Sequence, residues 1–399
     1  MTEAILALNA GSSSLKFGLY PIDANRDGPT ELLGGSMTGL GGAAPTFTAR
    51  APDGSLVAQE DWVGLGPDAV TARLIDWVEA HLGPARLAAV GHRIVHGGRD
   101  FFEPVAIDDH VLARLDALTP LAPLHQPLGL APVRRLRALR PALLQIACFD
   151  TAFHHDLAPP VSRYGVPRAL EAEGIRRYGF HGLSYESIAA QLAAQEDGAG
   201  DARIVVAHLG NGASLCALQG LRSVDTTMGF TALDGLVMGT RPGPLDPGIL
   251  LYLQREKGYS LDRVEHLLYH ESGLLGVSGV SADVATLLQA GSPAAAEALD
   301  LFAFQVARQT AALAATMGGI DRFVFTGGIG EHAPTVRAMI ARRLEWMGAV
   351  LDDAANLAGR APLLSAAESR LRLQVLPARE EHVIAAHVVA LLPRPARGA

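Results

Sequence analysis

Several residues of this chain have the types and spacing needed to handle anions. Asn9 enters and Lys16 leaves a Gly-Ser-Ser-Ser turn at 11–14 that separates two apolar arms. Small residues there let backbone N–H groups approach a phosphate, and Ser12 and Ser14 add hydroxyl donors. A similar turn, with Gly210, Asn211, Gly212 and Ser214, comes about half a chain later, after His208 and Leu209. A third, with Gly328, Ile329 and Gly330, follows the apolar run 323–326 and leads into Glu331 and His332. Two such turns would hold phosphates, and the third would let a nucleoside lie flat against bare backbone. Arg93 and Arg241 sit in loops near glycines. An always-charged planar donor suits a carboxylate or a phosphoryl group in transfer, and equally a structural ion pair. Asp150 ends an apolar run, as a catalytic or metal-linked carboxylate does, and as a turn residue does. His125, His154, His181 and His208 all lie at loops marked by glycine or proline. Glu380 and Glu381 open the last helical stretch, either as a solvated helix N-terminus or as magnesium-linked carboxylates.

The elements that would carry these residues are read from apolar periodicity. Period-two alternation on both arms of 4–20 predicts strand, turn, strand, and 203–218 repeats the pattern. Two glycine-rich hairpins in two halves suggest two domains facing each other across a cleft. Strands are also predicted at 46–51, 87–95, 143–149, 323–326 and 371–376. Helical spacing marks 68–82, 108–118, 128–139, 185–194, most of 249–320, a segment from about 334, and 380–392. An extended Pro-rich loop is expected at 121–127, carrying Leu124 and His125. Residues 155–180 read as loop, and 223–248 as a long irregular segment of the kind that is usually functional. Strands alternating with helices indicate an α/β protein.

A chain of 399 residues is long enough for two domains, each with its own core. Hydrophobic residues at 49% and charged residues at 19% indicate a globular protein. A net charge of −8 without a basic run disfavours a nucleic-acid partner. Cys148 and Cys216 lie in apolar runs and read as buried thiols in a reducing compartment. The apolar segment 294–317 contains Glu297, Asp300 and Arg308, so it reads as a buried or interface helix rather than a membrane span. With no visible signal peptide, the expectation is a cytoplasmic protein. No GxGxxG opens a helix after the first strand, and there is no GxxxxGK[ST], HExxH or GxSxG. Dinucleotide folds, P-loops, zinc hydrolases and serine hydrolases therefore lack support.

A resemblance narrows the reading. The strings NAGSSSLKF (9–17), GHRIVHGG (91–98), LAPLH (121–125), FDTAFH (149–154), RYGFHG (177–182), HLGNGAS (208–214), SVDTTMGFTALDGLVMGTR (223–241), FTGGIGE (325–331) and the Glu pair at 380–381 run in order along nearly the whole chain. Together they resemble the acetate and propionate kinase family, within the sugar kinase, heat-shock ATPase and actin superfamily. The resemblance implies two ribonuclease H-like (actin-like ATPase) domains around an interdomain cleft. Residues 1–152 plus about 382–399 would form the first, and 153–381 the second, which would bind nucleotide and dimerise. It implies a homodimer that makes acetyl phosphate and ADP reversibly from acetate and ATP, with Mg²⁺ (Mn²⁺ able to substitute) and no nucleic-acid or membrane partner.

Carried over by position, Asn9 and Glu380 would support the metal. Ser12, Ser14, Lys16 and residues His208, Leu209, Gly210, Asn211 and Gly212 would hold ATP phosphates. Arg93 would bind the acetate carboxylate, with Val95, Leu124, His125, Phe180 and Ala232 around the acyl group. Asp150, His181 and Arg241 would be catalytic. Asp283, Val284 and Ala285, with Gly328, Ile329, Gly330, Glu331 and His332, would lie along the nucleoside. The alternatives are a propionate or other short-chain acyl kinase, and a non-catalytic nucleotide-binding relative. Acetate is already ionised and needs no strong base, so Asp150 is expected to orient Arg93 or a metal-bound water.

The chain departs from the family pattern at several of these positions. Ala285 stands where an Arg is usual near the adenine, so a relaxed choice of nucleoside triphosphate is expected. Pro242 and Pro244 replace Ser and Asp after Arg241. Ala232 replaces Pro beside the acyl pocket, while His332, Tyr185 and Gln126 replace Asn, His and Asn.

Overall fold

The computed structural model describes residues 3–11, 14–22, 28–40, 45–195, 197–359 and 362–392. Ser12 therefore lies outside the described residues. The chain divides into two compact units: the residues up to Ala152 together with the stretch from Arg379, and Phe153–Ala378.

The first unit is built on a mixed sheet. Its strands are β1 (Glu3–Ala10), β2 (Ser14–Ile22), β3 (Leu33–Thr38), β4 (Thr46–Arg50), β5 (Leu56–Asp61), β6 (Arg86–Ile94), β7 (Val105–Ala106) and β8 (Leu144–Phe149), in the order β5-β4-β3-β2-β1-β6-β8-β7. β1 is apolar on both faces because it is central: Leu6 and Leu8 enter one core, and Ile5 and Ala7 are buried on the other side. That first core is aromatic, with Phe47 stacked on Trp62 at 4.7 Å and Trp77 edge-on to Phe47 at 4.9 Å. The β1–β2 register sets Asn9 opposite Lys16, and Gly11 N–H closes the turn on Ser14 O at 2.7 Å.

β1, β6 and β8 run parallel, so their carboxyl ends bring Asn9, Arg93 and Asp150 to one edge of the sheet, where ligands commonly bind open α/β sheets. The last helix, Glu380–Leu391, packs on β6 at Gly91. A Cβ there would meet Ile384 Cγ2 at 2.4 Å and Val388 Cγ2 at 2.7 Å, so only glycine lets the helix approach this closely. The same docking delivers Glu380 and Glu381 to the Asn9 edge.

The second unit holds β9 (Ile204–Leu209), β10 (Ala213–Gln219), β11 (Arg222–Thr226), β12 (Arg322–Thr326) and β13 (Arg372–Val375), in the order β11-β10-β9-β12-β13. β9–β10 and β10–β11 are antiparallel, whereas β9–β12 and β12–β13 are parallel. The first unit has the same pattern in β3-β2-β1-β6-β8. The repeat legible in two short hairpins thus extends to five strands, whose side chains have otherwise diverged. Helix Pro293–Met317 carries Glu297, Asp300 and Arg308 and buries Leu299, Phe302, Val306 and Leu313. Among the described residues no helix is long and apolar enough to cross a membrane. Cys148 and Cys216 are buried free thiols.

Several local expectations are corrected. The third glycine turn is instead the short helix Gly327–His332, opened by Gly327 at φ 75°. The Pro-rich segment at 121–127 is not extended: it holds the 3-10 turn Thr119–Leu121 and the start of helix Gln126–Leu139, whose Pro127 sits in the first turn where its missing N–H does no harm. The 155–180 stretch contains a short helix, Arg168–Ala172. Arg93, expected in a loop, lies on strand β6. The 21–66 stretch, read as short strands and loops with one strand placed at 46–51, holds three strands, because paired neighbours support residues of weak intrinsic preference.

Candidate active site

In the first unit the decisive group is an ion pair. Arg93 donates from Nε and Nη2 to the same oxygen of Asp150, Oδ2, at 2.9 and 2.5 Å. The pair is buried, with the Asp150 side chain 1% exposed and Arg93 14%. Burial pulls the Arg93 guanidinium down, but Asp150, with Glu380 beyond it, outweighs burial and holds it above its ordinary value. Arg93 Nη1 reaches Asn9 Oδ1 at 3.3 Å and Ala10 O at 3.4 Å. Because both strong bonds fall on Oδ2, Asp150 Oδ1 is buried without a hydrogen-bond partner among the described residues.

Beside it, Asn9 Nδ2 donates to Glu380 Oε2 at 2.7 Å and Glu381 Oε1 at 2.9 Å. Burial and then the Glu380 charge push the Glu381 carboxyl up, opposed by Lys16. An orphaned aspartate oxygen near two adjacent carboxylates is an all-oxygen set that could hold a hard cation. No group of three His, Cys, Asp or Glu among the described residues forms a ready cage.

Gln126 explains how the acyl-side residues come together. Its Oε1 accepts from His96 N–H, and its Nε2 donates to His96 O and Leu115 O, each at 3.1 Å. This clamp fastens the Val95–His96 backbone to the segment bearing Leu124 and His125. Val95 is buried, while Leu124 and His125 are half-buried. Glutamine's extra methylene supplies the reach to a second chain segment.

In the second unit three features converge. His181 caps helix Gly182–Ala193 in the left-handed region, at φ 59° and ψ 25°. Its ring stacks on His208 at 4.2 Å, and each ring is held at Nδ1 by a serine: His181 by Ser214 at 2.9 Å, His208 by Ser184 at 2.8 Å. A non-glycine residue in this conformation persists only when its surroundings over-determine it. Here buried His154 helps, donating from Nε2 to Phe180 O at 3.0 Å and accepting at Nδ1 from Ser223 at 2.7 Å. Burial keeps His154 neutral, with its pKa pulled down to about 4.

Arg241 is 9% exposed and donates to Ala232 O at 2.8 Å. Among the described residues no carboxylate pairs with it, and burial lowers it to about 10. Its loop is seated by helix Gly273–Ser278: Leu274 N–H donates to Met238 O at 2.8 Å, Leu275 N–H to Gly239 O at 2.9 Å, and Ser272 N–H, just before the helix, to Thr240 O at 3.0 Å. The β9–β10 turn meets the same loop, with Gly239 N–H on Asn211 O at 3.1 Å. A Cβ on Gly212 would lie 2.8 Å from Arg241 Nη2 and 3.5 Å from His181 Nε2, so both groups reach one spot over bare backbone.

Comparison with known proteins decides the lineage. The chain matches the Acetokinase family over residues 4–386. It is 48% identical over 398 residues to the acetate kinase of Rhodopseudomonas palustris strain TIE-1, covering 97% of this chain and 98% of that one. This chain belongs to the acetokinase family. Among solved structures it resembles a propionate kinase from Francisella tularensis, with TM-score 0.86, 34% identity, and 96% and 98% of the two chains covered. It also resembles Porphyromonas gingivalis acetate kinase, with TM-score 0.82, 34% identity, and 98% and 100% covered. Acetokinase family members use ATP.

Within the second unit, the residues expected along the nucleoside are less uniform than their strings suggest. Asp283 caps helix Val284–Ala290, its Oδ1 accepting from Thr286 N and Thr286 Oγ1, each at 2.8 Å. Val284 is buried and Ala285 exposed. Glu331 Oε1 accepts from Gly327 N and Ala378 N, each at 3.0 Å, so this carboxylate is committed to backbone. Gly328 opens onto free space, Gly330 packs on Phe325, and His332 is exposed. Sequence reasoning passed over Gly273, gave Ser214 no role beyond its place in the HLGNGAS turn, and took Tyr185 and Gln126 only as departures, whereas Glu381 was already paired with Glu380 as a magnesium-linked carboxylate.

Proposed function

We propose that this chain is a Mg-dependent acetate kinase, transferring the ATP γ-phosphoryl group to acetate to give acetyl phosphate and ADP, reversibly. The observation that carries the reading is Arg241, a buried guanidinium with no carboxylate partner among the described residues, beside His181 and the Gly212 backbone. A buried uncompensated charge is costly, and an arriving phosphoryl group removes that cost. Arg93 takes the acetate carboxylate, held in orientation by Asp150. One acetate oxygen attacks phosphorus as the bond to the β-phosphate oxygen breaks, and no proton moves, because the nucleophile is already an anion. Arg241 and His181 absorb charge on the equatorial oxygens, with preorganised donors that need no rearrangement. Lys16, Ser12, Ser14 and the His208–Gly212 backbone hold the phosphates. Asn9, Glu380 and Asp150 would hold a magnesium ion, and Glu381 is a further candidate. Magnesium neutralises phosphate charge when bound.

Two further readings accompany this one. The exposed Ile249, Leu251 and Tyr252 on helix Pro247–Glu256 support a homodimer face. The buried free thiols support a reducing, cytoplasmic setting.

The test is acyl phosphate formation from acetate, propionate and butyrate, trapped with hydroxylamine, with Mg²⁺ and a panel of nucleoside triphosphates. Acetate should lead and propionate should follow, since one methylene discriminates by only ~1–3 kcal/mol. With Asp283 committed to its helix and Ala285 lacking a guanidinium, several nucleotides should serve. No turnover with any acid, despite measurable ATP binding, would sink the proposal.

A further inference from the structure

His181 is held by a hydrogen-bonded chain that no part of the reaction explains by itself. Tyr185 OH and Ser214 Oγ lie 2.5 Å apart, and Ser214 Oγ lies 2.9 Å from His181 Nδ1. Tyr185 and Ser214 are each 0% exposed. Tyr185 also touches His181 through the main chain, its N–H donating to His181 O at 3.1 Å. One residue thus holds both the strained backbone and the ring of His181.

We propose that Tyr185, acting through Ser214, is a positioning residue that keeps the His181 proton on Nε2, making His181 a neutral hydrogen-bond donor to the phosphoryl group in transfer. The protons follow in order: Tyr185 O–H donates to Ser214 Oγ, Ser214 O–H donates to His181 Nδ1, and the ring's own proton stands on Nε2. His181 Nε2 and Arg241 Nη2 reach the same spot beside Gly212, and the His208 ring stacks on the His181 ring. A second positive charge beside the buried Arg241, which no carboxylate neutralises among the described residues, is repelled, so the imidazole stays neutral. The opposite tautomer would reverse the chain and turn the Nε2 lone pair toward anionic oxygens. Nε2–H instead offers a donor and requires no proton uptake during the reaction.

The inference rests on the phosphoryl-transfer reading above, and the experiment separates the two. The histidine tautomers of the ¹⁵N-labelled full chain are read by two-bond correlations to the ring protons, with His181 assigned by its loss in His181→Asn. Tyr185→Phe and Ser214→Ala are then compared with the parent for kcat, KM and tautomer. The parent should carry its proton on Nε2. Each variant should lose about tenfold in kcat, the scale of one orienting hydrogen bond, with KM for ATP and acetate nearly unchanged and the ring a mixture of tautomers. A parental proton on Nδ1, a Ser214→Ala variant with parental kcat, or variants altered in KM alone would overturn it. If Tyr185→Phe does not fold, Ser214→Ala carries the test. A parent that makes no acyl phosphate refutes the kinase reading, while the spectra still report the tautomer.

Discussion

Replacing Gly273 by alanine should disable the chain at a distance from any group that touches substrate. Gly273 stands at φ 63°, where an L side chain costs about 1 kcal/mol. Its new Cβ would also lie 2.2 Å from Met238 O, 2.7 Å from Arg241 O and 2.8 Å from Arg241 N. Ordinary contact begins at 3.4 Å, so the Met238–Arg241 backbone or the helix must yield by roughly 1 Å. A displacement of that size at a group that stabilises the transition state lowers turnover by up to about 100-fold. Gly279 supplies the control: at the other end of the same helix, φ is 62° and nothing lies within 4 Å of its Cβ. Gly279→Ala should therefore lose about 1 kcal/mol of stability and keep its turnover. The assay is hydroxylamine-trapped acetyl phosphate for kcat and KM, with urea unfolding on the same samples. Parental kcat in Gly273→Ala, or equal kcat losses in the two variants, would refute the claim that the Gly273 backbone seats Arg241.

Two further outcomes are expected. Asp150→Ala should cut kcat by orders of magnitude while changing ATP affinity little, because Arg93 loses the two bonds that aim it; unchanged turnover would remove Asp150 from the mechanism. Burial pulls His92, His96 and His154 each down to about 4 from 6.5, so between these values the unfolded chain binds protons that the folded chain does not. Their contribution to stability is complete above pH ~6.5 and falls as pH drops toward 4, by about 1.4 kcal/mol per pH unit for each. His154→Gln should flatten the slope of unfolding free energy against pH by about one proton, and an unaltered slope would mean that His154 is charged in the fold.

The sequence by itself determined the elements and the chemistry that depend on near neighbours. Alternation around Asn9 and Lys16 predicts a hairpin because strand period and turn chemistry are local, and the observed register pairs those two residues. The apolar run before Asp150 and the helical run from Glu380 were legible for the same reason. The ordered strings identified the family, whose membership the full-length match establishes.

Only the tertiary structure decided which polar atoms were already taken. Glu331 and Asp283 read as nucleotide contacts, yet their carboxylates satisfy backbone N–H groups at helix starts. Gln126 looked like a substitution in a loop, but it bridges His96 and Leu115, 30 and 11 residues away. Gly273 packs on the backbone of Arg241, and Tyr185 reaches the ring of His181 through the hydroxyl of Ser214; neither the Arg241 nor the Ser214 contact is implied by local spacing. Hydrogen-bond capacity is assigned once for the whole fold. A residue's type says what it can donate or accept, whereas its role depends on which distant groups packing brings within about 3 Å.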